Sequence, residues 1–242
     1  MKSYEEFLLS KVPEAVKSGL HVADSEINPI LFPHQRDIVR WAVLGGKRAI
    51  FASFGLGKTV MQLETLRLVK KYHEGKALIV CPLGVRQEFK HDAEMLGISV
   101  EYVRTDSEVE KATADILITN YERVRDGQIA PSQFSAVSLD EASILRGYGT
   151  KTYQEFLTLF PMVPYKYVCT ATPSPNRFKE LIHYAGFLGV MDTGEALTRF
   201  FQRDPEKAGN LMLYPHKERE FWLWMTTWAI FLTKPSDLGY SD

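Results

Sequence analysis

Six short apolar runs, separated by segments of helical periodicity, constrain this chain more than any other feature. The runs cover residues 48–53, 77–81, 98–103, 115–119, 136–139 and 165–170. They are rich in Val, Ile and aromatic residues and apolar at consecutive positions, so a strand built from them has no face to offer water. Strands of that kind belong inside a parallel sheet covered on both sides. Between the runs, residues 59–73, 86–96, 152–160 and 177–187 carry apolar side chains three and four apart, the spacing of a helix that buries one stripe. Gly75 and Gly97 follow two of these segments, where helices commonly stop. The expectation is an α/β fold with a mostly parallel central sheet and helices on both faces. Ligands of such sheets bind beyond the carboxyl ends of the strands, so any chemistry should sit just after the runs.

The first run leads into Ala52-Ser53-Phe54-Gly55-Leu56-Gly57-Lys58-Thr59 and then a helical segment. Backbone N–H groups of such a loop converge on a phosphate, and the helix N-terminus adds the positive end of its dipole. Glycines let the backbone approach closely, Lys58 can reach β- and γ-phosphates, and the Thr59 hydroxyl suits Mg²⁺. Gly55, Leu56, Gly57, Lys58, Thr59 and Val60 are therefore the candidate nucleotide-binding residues. The strict phosphate-loop pattern has glycine where Ala52 stands.

The fifth run, 136–139, ends in Asp140-Glu141-Ala142-Ser143. A carboxylate at the tip of a neighbouring strand is what a Mg²⁺–nucleotide site requires. Asp140 is expected to hold the metal through water and Glu141 to orient and deprotonate an attacking water. An Asp-Glu pair alone is more often a helix cap or a solvated surface; the phosphate loop lends it weight. Lys58, Asp140 and Glu141 are the candidate catalytic residues.

In this order these segments resemble the first RecA-like domain of superfamily 2 helicases, and among them the Swi/Snf-type translocases. The resemblance spans residues 31–188, with 189–242 expected as the helical C-terminal part of one domain covering 1–242. Leu31-Phe32-Pro33-His34-Gln35 resembles the adenine-recognition motif, which implies that Gln35 hydrogen-bonds the base edge. Residues 52–59 resemble motif I, in which alanine is accepted at the position of Ala52. Leu78-Ile79-Val80-Cys81-Pro82-Leu83 resembles motif Ia, and Ile118-Thr119-Asn120-Tyr121-Glu122 the motif after it; this implies that Pro82, Leu83, Asn120 and Tyr121 face nucleic acid, in the Swi/Snf case double-stranded DNA. Asp140 to Ser143 resembles motif II, and Thr170-Ala171-Thr172-Pro173 with Asn176 resembles motif III, which couples the two sites. The chain departs from the family in having Ser143 for the usual histidine and Ala171 for a frequent glycine. The Ser143 hydroxyl could bond toward Thr170 or Thr172, but it lacks the reach of imidazole.

The resemblance also implies a second RecA-like domain that supplies arginines to the ATP site. The sequence contains no Gln-x-x-Gly-Arg-x-x-Arg, the arginine-bearing motif of the family, and no second series of runs. The expected partners are thus nucleic acid and a second motor domain, and the expected cofactors ATP and Mg²⁺. A nucleotide-gated binding module and a metabolic kinase are competing readings; a kinase has no use for the segments like motifs Ia and III.

Composition narrows the classes further. With 45% hydrophobic and 24% charged residues the chain is neither disordered nor a low-complexity repeat. The formal charge of −1 supplies no overall attraction to nucleic acid, so contacts must come from local patches. Arg86, Lys90, Arg123, Arg125, Arg146 and Lys151 are candidates by position, though each also reads as a solvated surface charge. Cys81 and Cys169 sit inside apolar runs and read as small buried hydrophobes. Phe221, Trp222, Trp224, Trp228 and Phe231 read as a core-facing stripe. The most apolar stretch, 221–232, is shorter than the roughly 20 residues a membrane helix needs, and acidic residues interrupt the first six positions. A cytoplasmic protein without membrane contact is the expectation.

Overall fold

A computed structural model describes residues 12–147, 150–174, 178–205 and 210–242, without the side chain of Arg146. The acidic start of the chain, Asn176, and Arg177 at the head of the last expected helical segment lie outside the described residues.

The six runs form parallel strands: β1 (Lys47–Ala52), β2 (Lys76–Cys81), β3 (Val100–Tyr102), β4 (Ile116–Asn120), β5 (Phe134–Leu139) and β6 (Tyr165–Thr170). Alternate residues of the central strands enter different cores, because successive side chains point to opposite faces. In β1, Ala49 and Phe51 join one core while Ile50 and Ala52 join the other. The second core is roofed by α1 (Pro33–Gly45), α2 (Lys58–Tyr72) and α3 (Arg86–Leu96), through residues such as Val39, Leu66 and Phe89. A short α4 (Asp106–Lys111) and α5 (Tyr121–Arg125) flank β4 in sequence. The first core is covered by α6 (Lys151–Leu159) and α7 (Leu181–Leu188) through Phe156 and Tyr184.

Residues 189–242 are not purely helical, which corrects the sequence-based expectation. They contain α8 (Thr193–Phe200), an antiparallel pair β7 (Phe201–Arg203) and β8 (Leu211–Leu213), α9 (Glu218–Thr226) and β9 (Ala229–Leu232). Strand β9 pairs in parallel with β1, completing a seven-stranded sheet of order β3-β4-β2-β5-β6-β1-β9. A four-residue apolar run has no readable period, and its pairing partner lies far away in sequence, so local pattern could not separate it from the aromatic helix before it. The stripe itself is divided accordingly. Phe221, Trp224 and Trp228 are core residues, whereas Phe231 sits on β9, partly exposed, with its ring 5.1 Å from that of Phe51.

Cys81 and Cys169 are buried and free, as expected of small hydrophobes. Burial pushes the Cys81 thiol up to about 12, far from reactive thiolate chemistry. No helix of the described residues is long and apolar enough to cross a membrane.

Candidate functional site

The order β5-β6-β1 decides the site. The acidic pair follows β5, the phosphate loop follows β1, and the motif III-like segment follows β6, the strand between them. The three segments therefore meet at the carboxyl edge of the sheet.

Gly55 and Gly57 have φ of 82° and 74°, a left-handed conformation that L side chains rarely adopt. Gly57 also occupies the cap position of α2, where an added Cβ would lie 2.3 Å from the Gln35 amide nitrogen. The positive φ is what requires glycine there, since the Gln35 amide is the end of a flexible side chain that could give way. Lys58 opens α2; its Nζ donates to the Ser53 carbonyl at 3.3 Å and lies 5.0 Å over the Phe54 ring. The Thr59 hydroxyl donates to Glu88 at 3.1 Å, and Val60 is buried beneath the loop.

Asp140 is only 6% exposed. Gln62 of α2 donates to its Oδ1 at 2.8 Å, Ser138 donates to Gln62 at 2.7 Å, and the Tyr121 hydroxyl donates to the Asp140 carbonyl at 2.7 Å. Gln62 and Ser138 were not singled out by motif. The available signal was local: Ser138 precedes Asp140 by two residues on the same strand face, and Gln62 follows Lys58 by one helical turn. Glu141 sits at φ 46°, the only described non-glycine residue with positive φ. The register Leu139↔Val168 between β5 and β6, continued two residues, sets it beside Thr170, whose hydroxyl donates to its Oε2 at 3.2 Å. The same hydroxyl accepts the Thr172 N–H at 3.2 Å. Thr170 is therefore bonded to the motif II carboxylate. Ser143 donates to the Glu141 carbonyl at 3.4 Å.

Burial pushes the Asp140 carboxyl up from 3.8 to about 6, against the Gln62 hydrogen bond, which lowers it. The folded chain thus holds this proton more tightly than the unfolded chain. Stability is unaffected below pH 3.8, falls as pH rises from 3.8 to about 6, and stays lower above that by on the order of 3 kcal/mol. Asp140→Asn keeps the oxygen that Gln62 contacts and removes the charge. In denaturant melts of the metal-free chain it is expected to stabilise by that order near pH 8 and by much less at about pH 4. Equal gains at both values would refute burial of charge as the cause.

Gln35 bridges two segments: its Oε1 accepts the Phe32 N–H at 3.0 Å and its Nε2 donates to the Leu56 carbonyl at 3.1 Å. The residues expected to face nucleic acid separate into two pairs. Pro82 and Leu83 are exposed at the tip of β2. Asn120 and Tyr121 are each 5% exposed and engaged internally. Asn120 holds the cap position of α5 without a capping bond; its amide donates to Glu122 at 2.5 Å and accepts from the Tyr102 hydroxyl at 3.2 Å. Ala171 is half-buried and Thr172 exposed at the tip of β6. Among the candidate cations, the Arg86 guanidinium lies 4.7 Å over the Tyr102 ring and shares a cavity of about 290 Å³ with Lys90. Arg123 bonds Gln128, Arg125 pairs with Asp126 at 2.9 Å and Lys151 with Glu155 at 3.6 Å, so these are tied to neighbours. The side chain of Arg146 lies outside the described residues.

The model of the SNF2-related domain matches residues 34–206. The chain belongs to the SNF2-related domain family. Its fold is similar to that of the Sulfolobus solfataricus SWI2/SNF2 ATPase core, solved in complex with dsDNA (TM-score 0.70, 21% identity over 89% of this chain) and as the core domain (0.68, 22%, 91%). It is also similar to the UvsW helicase of bacteriophage T4 (TM-score 0.53, 17% identity, 76% of this chain and 65% of that one). No curated protein matches the sequence. The chain spans 47% and 48% of the two Sulfolobus chains, about half their length. As an SNF2-related domain it has the RecA-like architecture expected from sequence, an α/β fold with a parallel sheet between helical layers.

Proposed function

We propose that this chain is the ATP-binding half of a DNA-dependent ATPase, a helicase or double-stranded DNA translocase whose second RecA-like domain completes the site. The observation that carries the reading is the convergence of the phosphate loop, the Asp140–Gln62 contact and the Thr170–Glu141 contact at one sheet edge. The dsDNA in the solved Sulfolobus core supports the choice of nucleic acid. Exposed Pro82 and Leu83, with Arg86 and Lys90 close by in sequence, supply a local surface that the net charge of −1 does not.

In this reading Lys58 exchanges the Ser53 carbonyl for phosphate oxygens, and the loop N–H groups at the head of α2 receive the others. Thr59, Asp140 and Glu141 offer only oxygen atoms, a donor set that fits a hard divalent cation such as Mg²⁺. Thr59 and Asp140 would hold it, and its charge would offset that of the phosphates. Glu141 orients a water and takes its proton, held in place by Thr170. Thr170 and Thr172 link the carboxylate to the exposed edge, a route by which nucleic acid could alter Glu141.

Lys58→Ala removes a charge-assisted contact of order 1.5–3 kcal/mol, roughly a 10- to 150-fold loss of Mg²⁺-ADP affinity. Calorimetric titration tests this, and equal affinity in both proteins would end the reading of the loop as a phosphate site.

A further inference from the structure

The hydroxyl of Thr59, in the first turn of α2, reaches out of its own helix and donates to Glu88 Oε1 at 3.1 Å. Glu88 stands in the first turn of α3, and no motif singled it out. Sheet order brings the two together. Strand β2 lies next to β5, and the Asp140 N–H donates to the Val80 carbonyl at 2.8 Å. After β2 the chain passes Pro82 and one turn of 3-10 helix before α3 begins. The head of α3 therefore stands at the same sheet edge as the phosphate loop and the acidic pair. Phe89, next to Glu88, is fully buried in the core that α2 also enters, which pins this first turn in place.

An acidic residue in the first turn of a helix is ordinary, because the positive end of the dipole favours it. That accounts for the residue type but not for the contact. Glu88 is exposed and pairs with no cation among the described residues; its partner is the Thr59 hydroxyl, on a residue 7% exposed. A hydroxyl has one hydrogen and two lone pairs. With the hydrogen committed to Glu88, Thr59 presents lone pairs to the site, and a hard cation is bound by oxygen lone pairs. The contact thus prepares the hydroxyl as a metal ligand instead of competing for it. Asp140 is supported in the same manner, its Oδ1 accepting from Gln62 at 2.8 Å.

We propose that Glu88 is a positioning residue of the Mg²⁺ site: it holds the hydrogen of the Thr59 hydroxyl, so that a lone pair of Oγ1 faces the cation. This rests on the ATP-binding reading above and assigns Glu88 a role exercised through Thr59, not as a ligand in its own right. Residues that hydrogen-bond a metal ligand from behind fix its orientation and raise its basicity, and their loss costs about 10- to 100-fold in metal affinity. The head of α3 thereby becomes part of the nucleotide site, although it follows the segment that resembles motif Ia.

The test measures, by calorimetric titration of the whole chain, how many fold Mg²⁺ strengthens ADP binding relative to ADP in EDTA. Glu88 is exposed, so its variants keep the fold. Glu88→Ala is expected to cut the Mg²⁺ gain about 10-fold or more without weakening ADP in EDTA. Glu88→Gln, which keeps an acceptor oxygen but no charge, is expected to cut it only about 2- to 5-fold. A wild-type gain in Glu88→Ala would overturn the proposal, and a larger gain would show that the carboxylate withholds the hydroxyl from the metal. A loss in Glu88→Gln equal to that in Glu88→Ala would also overturn it, by placing the effect on charge alone. Wild-type ADP binding that Mg²⁺ does not strengthen would remove the metal site and this role together, while the phosphate loop would stand. If the wild-type chain bound ADP in neither condition, the ATP-binding reading would fall, and the role of Glu88 with it.

Discussion

Glu141→Gln, made in a protein that carries both motor domains, is expected to bind ATP as wild type does and to hydrolyse it about 10²–10⁴-fold more slowly. The geometry around Glu141 explains why so small a change should matter. The backbone there adopts φ 46° and ψ 47°, at a cost of roughly 1–3 kcal/mol for a non-glycine residue. That conformation presents the carboxylate to the Thr170 hydroxyl on the neighbouring strand. Glutamine can accept the same hydrogen bond and fill the same volume, so neither the fold nor nucleotide binding should suffer. What it lacks is an oxygen basic enough to take a proton from water. Turnover at the wild-type rate would remove Glu141 from the role of base.

The second large effect concerns the 242 residues by themselves, which are expected to hydrolyse ATP negligibly, with or without duplex DNA. Arginines facing the transferred phosphoryl group contribute about 10³–10⁵ in rate in related enzymes. The sequence holds no Gln-x-x-Gly-Arg-x-x-Arg, and Arg199 in the tail is tied to Glu220 at 2.6 Å. Translocation further needs two bodies that open and close with nucleotide. In the proposed reading DNA would meet the surface near Pro82 and Leu83, with affinity near the non-specific range of about 10⁻⁴–10⁻⁶ M. Phosphate release by the purified chain is the measurement. DNA-stimulated turnover of ~1–10³ s⁻¹ would mean that these residues contain a complete site.

Local pattern in the sequence was enough to determine the parallel sheet, the two helical layers, and the placement of Gly55 to Thr59, Asp140 and Glu141 at strand ends. Each of those features is written within a dozen consecutive residues: a run apolar on both faces, a glycine turn before a helix, a carboxylate after a strand. Tertiary structure alone decided how they meet. Gln62 and Asp140 are 78 positions apart, and Thr59 lies 29 positions from Glu88. β9 borrows its identity as a strand from the exposed edge of β1. Asn120 and Tyr121 follow a strand just as Pro82 and Leu83 do, yet the packing around β4 turns them inward. Thr170 reaches Glu141 because β6 lies between β5 and β1, and strand order is a property of the sheet rather than of any strand. The physical reason is range. Side-chain periodicity reports which face of an element is apolar over a few residues, whereas a hydrogen bond between distant segments depends on how whole layers stack and in what order their strands pair.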